Sequence, residues 1–491
     1  MYRSRPKGSL DDDVLQFLSS MQSDKSILEY DILGSQAHSI MLYETGLLTR
    51  QELNKILAAL ENARKNNALI KTDGFEDIHE ALEAFVIKRA GMESGGKMHS
   101  ARSRNDQVAL DIRMKVRDYI NNMCAALADL VEGLVEKASE SKTVPMPMYT
   151  HLQQGQIGTF SHYLISYAYS LLRDIDRLYL CYQRINKSPL GACAIGGSSI
   201  PIDRKRTATL LGFDSLVTNS IDATSSRDVF LEYSAILSIT ASSLSRIAED
   251  FIIWSTTEFG YIELADKFSS TSSAMPQKKN PDPLELIRAK SSIVTAHMVA
   301  LFGIVKALPT GYSRDLQDMK PQLFESSATT LAMLKIMNGV VRSLHVNTDR
   351  MKAASESSYA VALDIAEQFV MKNKIPFREA HKIVGNLVDK AAGRGIALAE
   401  LDIKDIQLIL RPLKSGLDSA TVASTIRNMN PEKAIESRRS TGSPSRREQD
   451  EMIKALSQNN RNYKLGIQKR IKMVEGAFQN LSLEVKRYQE S

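Results

Sequence analysis

Residues 106–141, DQVALDIRMKVRDYINNMCAALADLVEGLVEKASES, decide the fold of this chain. Apolar side chains recur there every three or four positions, as at Leu110 and Met114, and this spacing places them near one face of a helix. No proline interrupts the stretch, and the next one is Pro145. Because proline breaks helix interiors, its absence leaves room for one uninterrupted helix. The stretch therefore predicts a helix that ends near Ser141.

The same reasoning predicts four more long helices, at 155–186, 227–258, 281–305 and 321–345. No alternating strand pattern of useful length accompanies them, so the predicted class is all-α. A helix of about 30 residues is about 45 Å long. Apolar faces of that length are hard to bury within one chain. We therefore expect the long helices to pack against copies of the same chain in a symmetric homo-oligomer.

The regions that flank these helices read differently. Residues 1–15 form a polar lead-in, and short amphipathic helices follow, one of them with Thr49 as its predicted N-cap. The glycine-rich stretch GMESGGK at 91–97 predicts a break. The last ~130 residues predict a smaller helical domain with shorter elements.

Composition limits the function classes. A net charge of +6 without a basic stripe argues against nucleic-acid binding. Three cysteines without CxxC spacing argue against a disulfide framework or a zinc site. No apolar run approaches the ~18 residues needed to span a bilayer, and the polar N-terminus lacks a signal peptide's apolar stretch, so we expect a cytoplasmic protein. Fingerprints of nucleotide-binding, metalloprotease and serine-hydrolase sites are absent from the sequence.

The first of four polar segments is HSARSRNDQ, at 99–107, just before the first long helix. One interpretation is a capped helix start with Asn105 or Asp106 as the N-cap. The other is an anion site in which Arg102 and Arg104 lie beside free backbone N–H groups. The local sequence favours the simple cap.

The second segment, YTHLQQGQ at 149–156, opens the predicted second long helix. His151 follows Thr150 and precedes several glutamines. A single histidine is more often a structural hydrogen bonder than a catalyst. A histidine among amides at a helix start is also suited to carry a proton. The local sequence leaves both interpretations open.

The third segment is STSSAMPQKKNPDPLELIR, at 270–288. Asn280 is predicted to cap a helix whose first residue is Pro281, and Glu285 lies within its first two turns. A solvated linker is the simple interpretation. Lys278, the lysine after it and the helix N-terminus also concentrate positive potential that suits a dicarboxylate. A mobile loop that closed over a substrate would exclude water.

The fourth segment, TGYSRDLQDMK at 310–320, lies between the predicted fourth and fifth helices. Tyr312, Arg314, Gln317 and Lys320 could together grip a charged ligand that forms hydrogen bonds. A polar turn between helices is the simpler interpretation, and the local sequence favours it.

Taken in order, these segments resemble the fumarase/aspartase superfamily, whose signature loop has the form GSSxMPxKxN. The loop here is TSSAMPQKKNP, and its PQKKNPD version followed by LELIR resembles the argininosuccinate lyase family in particular. The resemblance covers nearly the whole chain. Further matching stretches are FLSSMQSDKSILEYDILGSQAHS at 17–39, SRNDQ at 103–107, THLQ at 150–153 and YSRDLQ at 312–317.

The resemblance implies three helical domains, which we place at 1–105, 106–355 and 356–491. It implies a homotetramer in which the central helices form a twenty-helix bundle and each active site draws on three chains. The implied reaction is β-elimination of argininosuccinate to arginine and fumarate, in arginine biosynthesis. Neither a metal nor an organic cofactor is implied.

Roles for individual residues carry over by position. Ser272 matches the base that removes the proton next to the succinyl carboxylate. Lys278 and Asn280 match groups that activate it and stabilise the carbanion. His151 matches the acid that protonates the leaving nitrogen, and Glu285 matches the carboxylate that orients this histidine. The implied substrate contacts are Ser20, Asp24, Arg104, Asn105, Thr150, Tyr312, Gln317 and Lys320.

Some positions depart from the family pattern. Thr271 replaces the signature glycine, and Gly155 and Ile157 replace the Ala and Pro often seen after THLQ. HSARSRN stands in place of HTGRSRN. The stretch 436–448 is unusually basic, and we interpret it as a solvated loop. None of these departures removes a proposed catalytic group.

Two alternatives differ in class. The first is another fumarate-releasing lyase of the superfamily, acting on adenylosuccinate or on aspartate. The second is a structural protein, as with the delta crystallins that share the fold. That reading predicts the loss of a catalytic group, and Ser272, His151, Lys278 and Glu285 are all present.

Overall fold

A computed structural model describes residues 11–413 and 416–490. Residues 1–10, most of the predicted polar lead-in, lie outside the described residues. Helices form nearly all of the regular structure, and the strands that pair do so in two-stranded sheets. The all-α class is therefore confirmed.

The N-terminal helices prepare one side of the candidate site. The helix α4 begins with the predicted cap: the Thr49 hydroxyl accepts from the Glu52 N–H, and the Glu52 carboxylate accepts from the Thr49 N–H. Gly91, at a φ of 82°, ends α5, so the predicted break is confirmed at this residue, but the rest of the stretch 91–97 forms short helical turns. The helices are α1 Asp12–Leu18, α2 Met21–Asp24, α3 Leu28–Glu44, α4 Arg50–Lys65, α5 Ile78–Ala90 and α6 Met92–Gly95.

All five predicted long helices are present, although some begin or end elsewhere than predicted. The predicted N-cap of the first is wrong: Ser103 is the cap, and Asp106 sits at the third position of its capping box. The central helices are α7 Arg104–Glu140, α8 Phe160–Ile185, α9 Arg204–Leu210, α10 Ser220–Ser225, α11 Asp228–Trp254, α12 Asp282–Val305 and α13 Met319–Ser343.

Side-chain pairs at the helix ends show that the long helices alternate in direction. Arg184, at the end of α8, pairs with Glu232 at the start of α11. Arg288, at the start of α12, pairs with Glu249 near the end of α11. Arg113, near the start of α7, donates to the Arg184 carbonyl, and Arg342 at the end of α13 pairs with Glu136 near the end of α7. End A of the bundle therefore holds the starts of α7, α11 and α13, and end B holds the starts of α8 and α12. The 24 residues of α12 separate the ends by about 36 Å.

The expectation that the second long helix begins near residue 155 is wrong, as is the expectation of no useful strand. A hairpin of β1 Pro145–Thr150 and β2 Gln153–Thr159 precedes α8. The two residues between the strands, His151 and Leu152, both have positive φ. The Thr159 hydroxyl then accepts from the His162 N–H and caps α8.

The remaining strands are short and brace loops. Their positions are β3 Lys187–Ser188, β4 Ser215–Leu216, β5 Ile262–Glu263, β6 Ser270–Thr271, β7 Lys279–Asn280 and β8 His345–Val346. The pair β6–β7 is antiparallel and closes the base of the serine- and lysine-rich loop. This pairing brings the loop's two ends together next to the start of α12.

The C-terminal region contains a separate hydrophobic core and one very long helix. Phe369, Ile383 and Leu387 lie in the separate core. The prediction of only shorter elements is wrong, because α20 has 45 residues and returns along α7. The helices are α14 Thr348–Glu356, α15 Ala362–Asn373, α16 Phe377–Arg394, α17 Ile403–Leu413, α18 Ser419–Asn428, α19 Pro431–Ser437 and α20 Arg446–Glu490.

The basic stretch 436–448 is not the solvated loop that we expected. Arg438 donates through two nitrogens to both carboxylate oxygens of Asp364, each at 2.9 Å, and also to the carbonyl of Ile157. Ser443 and Ser445 are buried. This segment therefore joins the C-terminal core to the hairpin through a bidentate, charge-assisted contact.

Two further findings concern the cysteines and the apolar character of the helices. Cys124, Cys181 and Cys193 are free thiols, and the first two are buried. Among the described residues, no helix has the combination of length and apolar character required to cross a membrane.

Candidate active site

A buried ion pair lies at end A between the N-terminal region and α13. Lys320, on the first turn of α13, pairs with Asp24, and both side chains are almost completely buried. The Ser20 hydroxyl donates to the second oxygen of the same carboxylate at 2.5 Å. Gln317 donates from Nε2 to the Leu18 carbonyl at 3.0 Å. Four predicted substrate contacts are thus held in one connected group.

Arg104 belongs to the same end, where α7 begins. Its guanidinium pairs with Asp77, whose carboxylate also accepts from the Glu80 N–H at 2.8 Å and caps α5. Burial alone would raise the pKa of Asp77, but the neighbouring His79, Arg104 and Lys320 lower it. Sequence reasoning missed Asp77. The available signal was its position in EDIH, where an aspartate directly precedes a helix and occupies the N-cap position.

Tyr312 and Asn105 complete end A. Burial raises the pKa of the Tyr312 phenol, while nearby arginines, Arg227 foremost, counter the rise. Asn105 donates from Nδ2 to the Ala194 carbonyl at 2.9 Å. We call the set at end A the platform; its members are Ser20, Asp24, Asp77, Arg104, Asn105, Tyr312, Gln317 and Lys320.

Asp106 fastens the glycine-rich loop after α8 to the platform. One of its oxygens accepts from the Ser103 N–H, and the other accepts from the N–H groups of Gly191 and Cys193 at 2.9 and 2.8 Å. Burial raises the pKa of Asp106 to about 6, although these donors act in the opposite direction. The residue is therefore an anchor within the turn, and the interpretation of Asp106 as a helix cap is replaced.

The tip of the hairpin, at end B, carries Thr150 and His151. His151 and Leu152 have φ values of 55° and 57°, in the left-handed region that costs a non-glycine residue roughly 1–2 kcal/mol. All three side chains are exposed, Leu152 by 72%. His151 is thus presented to solvent by a strained turn, and its predicted place at a helix start is wrong.

A cavity of about 750 Å³ lies beside this tip. Its walls include Tyr149 and Tyr261, whose hydroxyls are 2.6 Å apart, and Phe259, which packs against both rings. Arg350 closes one side and donates to the Phe259 and Glu258 carbonyls at 3.0 and 2.9 Å. The hairpin tip also lines this cavity, through Leu152.

The serine- and lysine-rich loop also lies at end B. The Ser272 hydroxyl accepts from the N–H groups of Ala274 and Met275 at 3.2 and 3.0 Å. Lys279 pairs with Glu263 and with Asp266, each at 2.8 Å. These pairs occupy Lys279, so the cation that the loop presents is Lys278, which is exposed.

The predicted cap of α12 is wrong. Asn280 lies in β7, Pro281 is the cap position without a side-chain hydrogen bond, and Asp282 is the first helical residue. The pairing of β7 with β6 holds Asn280 opposite Ser270, so the asparagine is in an extended conformation. Glu285 lies on the first turn of α12 and is exposed.

The structure therefore divides the predicted residues into two sets. Thr150 and His151 lie with the loop and the start of α12 at end B, while the other substrate contacts form the platform at end A. Within the described part of one chain, no hydrogen bond or ion pair joins His151 to Glu285 or to Ser272. The two sets are separated by about the length of a long helix, or about 36 Å.

Comparisons with known families match most of the chain. A family model described as "Lyase" matches residues 7–296, and one described as "Argininosuccinate lyase C-terminal" matches residues 359–436. The chain is similar to an argininosuccinate lyase of Nitrosopumilus maritimus, with 49% identity over 92% of this chain and 93% of the relative. It is 41% identical to one of Methanothrix thermoacetophila, over 93% and 92%.

Solved structures agree on the fold. The crystal structure of EDDS lyase in complex with formate has a TM-score of 0.87 and 29% identity, and the match covers 99% of this chain and 97% of that one. A class II fumarase from Schistosoma mansoni has a TM-score of 0.71 over 84% and 91%, and its 15% identity supports the fold alone.

Proposed function

The chain belongs to the argininosuccinate lyase family, and on that premise we propose that it eliminates fumarate from argininosuccinate and leaves arginine. The observation that carries this proposal is the 49% identity to a named argininosuccinate lyase over 92% of the chain. The match to the C-terminal model of the same family supports it. The reaction belongs to arginine biosynthesis. Adenylosuccinate and aspartate lyases, and a purely structural role, are not favoured by these relatives.

In the proposed reaction, Ser272 takes the proton from the carbon next to the succinyl carboxylate. A serine hydroxyl is a weak base at neutral pH and needs activation. The two N–H groups directed at its oxygen, from Ala274 and Met275, would stabilise the alkoxide form. Lys278 on the same loop would add a positive charge.

The electrons of the broken C–H bond enter the adjacent carboxylate and form a doubly charged intermediate. Lys278 and Asn280 are the proposed donors to this charge, together with the start of α12. The C–N bond then breaks and fumarate forms. His151 returns a proton to the departing guanidino nitrogen, and Glu285 orients the histidine. The reaction therefore balances: Ser272 accepts one proton from carbon, and His151 donates one proton to nitrogen.

The platform is proposed to bind the charged groups of the substrate. Arg104 and Lys320 provide fixed positive charge, and Ser20, Asn105 and Gln317 provide hydrogen-bonding groups. The carboxylates Asp24 and Asp77 hold these two cations in place. The substrate would therefore bind to side chains that already hold fixed positions. Fixed side chains lose less conformational entropy when the substrate binds.

We also propose that the active protein is a homotetramer whose sites are shared between chains. A complete site needs both sets of residues, and about 36 Å separates them in one chain. A second chain packed antiparallel would place its end B against the first chain's end A. Helix α12 supports such packing, because Leu286, Ile293, Val299 and Phe302 are exposed along it.

The domain division at 1–105, 106–355 and 356–491 remains a proposal, as does a cytoplasmic location. The separate hydrophobic core that includes Phe369 and Ile383 supports a boundary near residue 356. Three free cysteines suit a reducing compartment.

The activity is tested by incubating the purified protein with argininosuccinate and measuring fumarate by ultraviolet absorbance and arginine by a coupled assay. We expect both products in equal amounts. Parallel incubations with adenylosuccinate and with aspartate should release no fumarate. Failure to release either product from argininosuccinate would refute the proposal, whereas fumarate from adenylosuccinate alone would move the chain to the alternative lyase class.

A further inference from the structure

Three ionisable side chains lie buried directly behind the platform. Asp31 on α3, His79 on α5 and Asp111 on α7 are each at most 1% exposed. The Nδ1 atom of His79 lies 3.0 Å from Asp31 Oδ2 and 3.4 Å from Asp111 Oδ2. A single ring nitrogen thus faces two carboxylates. We call these three residues the triad. Two adjacent carboxylates that face one nitrogen repel each other when both are ionised, so the group requires at least one proton.

The two carboxylates of the triad are not equivalent. Asp31 accepts a hydrogen bond from Gln107 Nε2 at 2.5 Å. Neither oxygen of Asp111 has a hydrogen-bond partner within the described part of the chain. An ionised Asp111 would therefore be a buried anion without a donor, which is strongly unfavourable.

The pKa values of the two acids differ in the direction that their hydrogen bonds indicate. Burial raises the pKa of Asp111 well above its usual range, and the charges of Asp31 and Asp24 add to the rise. Burial would also raise the pKa of Asp31, but His79 and Arg102 overcome this effect and lower it to about 2. Asp31 is thus the ionised acid and Asp111 the protonated one.

Ionisable side chains surround the triad on every element that packs against it. Burial lowers the pKa of His99 to about 4 and that of His38 to about 3, so both are neutral near pH 7. The carboxylates and the permanent cations around the triad balance one another, so the two acids of the triad supply the excess negative charge, and one proton on them reduces it. The charged groups are Asp24 from α2, Asp77 from α5, Glu83 beyond His99, Arg102 and Arg104 from the start of α7, and Lys320 from α13.

We propose that Asp111 keeps its proton and that the triad thereby positions the platform cations Arg104 and Lys320. The proton on Asp111 prevents a second carboxylate anion beside Asp31. Without it, that charge would compete with Asp77 and Asp24 for the two cations and draw them from the substrate. The positioning role rests on the proposed function, in which these cations bind the substrate, but the presence of the proton does not.

The triad also has the donor atoms of a metal site, since its possible ligand atoms lie within 4.8 Å of one another. The charges of Arg102 and Lys320 act on the same carboxylates. These permanent cations would repel a divalent ion, so a proton suits the site better. Metal analysis of the purified protein decides this point: about one equivalent of a divalent metal per chain would overturn the proton assignment.

Asparagine substitutions test the proposal because asparagine has the shape of a protonated aspartate. Asp111→Asn should keep Tm within about 2 °C of the native value and leave KM unchanged, because it mimics the neutral acid. Asp31→Asn removes the ionised partner of His79. It should lower Tm by at least about 5 °C and raise KM about tenfold, with kcat changed by less than about threefold.

Asp174→Asn is the matched control. Asp174 is a buried carboxylate on α8, away from the platform, and pairs with Arg177 at 2.7 Å. Its substitution should lower Tm without moving KM. This result would separate a general loss of stability from a specific effect on substrate binding.

The outcomes are distinct. Equal losses of Tm in Asp31→Asn and Asp111→Asn would overturn the assignment of the proton to Asp111. An unchanged KM in Asp31→Asn would overturn the positioning role. If the native protein does not act on argininosuccinate, the proposed function fails, yet the comparison of Tm values still tests the proton.

Discussion

The two ends of the helical bundle differ in how completely one chain builds them. At end A, Lys320 and Asp24 are buried in an ion pair, and Arg104 is fixed by Asp77. At end B, His151 and Glu285 are exposed, and the loop with Ser272 is held by backbone pairing at its base and by the exposed ion pairs of Lys279. Fixed charges suit binding, whereas an exposed loop suits a group that moves or that meets another chain.

The difference shows that the buried, paired side chains and the side chains proposed to transfer protons lie at opposite ends of the bundle. The groups proposed to bind the substrate are already paired and rigid in one chain. The groups proposed to move protons are accessible and carry few contacts. Changes at end B should therefore affect turnover with little effect on stability, and changes at end A should affect both stability and binding.

The largest effect is expected for Ser272→Ala at end B. Removing the proposed base should lower kcat by about 10³-fold or more and leave Tm unchanged, because among the described residues the half-buried Ser272 hydroxyl forms hydrogen bonds only with backbone N–H groups of its own loop. Fumarate release and thermal unfolding measure the two quantities. Ser273→Ala, one position further along the loop, is the control and should retain activity. Near-native turnover in Ser272→Ala would refute this base.

A smaller effect is expected for His151→Asn. Loss of the proposed acid should reduce kcat about 100-fold, mainly by slowing departure of the guanidino nitrogen. The exposed tip predicts little change in Tm. His381→Asn, at an exposed position of the C-terminal core region, is the control. An unchanged kcat in His151→Asn would mean that the acid lies elsewhere.

Lys320→Met tests whether a change at the buried end A lowers both stability and substrate binding. It should raise KM by about tenfold and reduce stability by about 3–5 kcal/mol, because Asp24 is left as a buried, unpaired charge. The double variant Asp24→Asn/Lys320→Met should recover most of the stability but not the affinity. Chemical denaturation and steady-state kinetics report the two effects. If the single variant is as stable as the native protein, the buried pair is less important than its geometry indicates.

Helix periodicity and proline spacing were sufficient to predict the five long helices, because their apolar faces repeat over many turns. The hairpin at 145–159 could not be predicted in this way. Its polar sequence QQGQ lacks a strand pattern, and its turn depends on positive φ at His151 and Leu152. The helix α20 was missed because it is largely polar and buries only widely spaced residues against α7.

The candidate site shows a similar limit. The matched motifs named seven platform residues that the structure brings together at end A. Asp77 and the triad were missed, because their partners are distant in sequence and meet only when α3, α5 and α7 pack. The roles given to Ser272, His151, Lys278, Asn280 and Glu285 stay predictions.

The central claim is that one chain's end A works with another chain's end B. It is tested most directly by mixing Ser272→Ala protein with Asp24→Asn/Lys320→Met protein, dissociating and reassembling them together. The assay uses substrate well below the KM of the double variant, so that neither parent alone is active. Sharing between chains predicts recovery of about a quarter of native activity, because random assembly leaves that share of sites with both ends intact. Activity no higher than that of the separate parents would contradict the account.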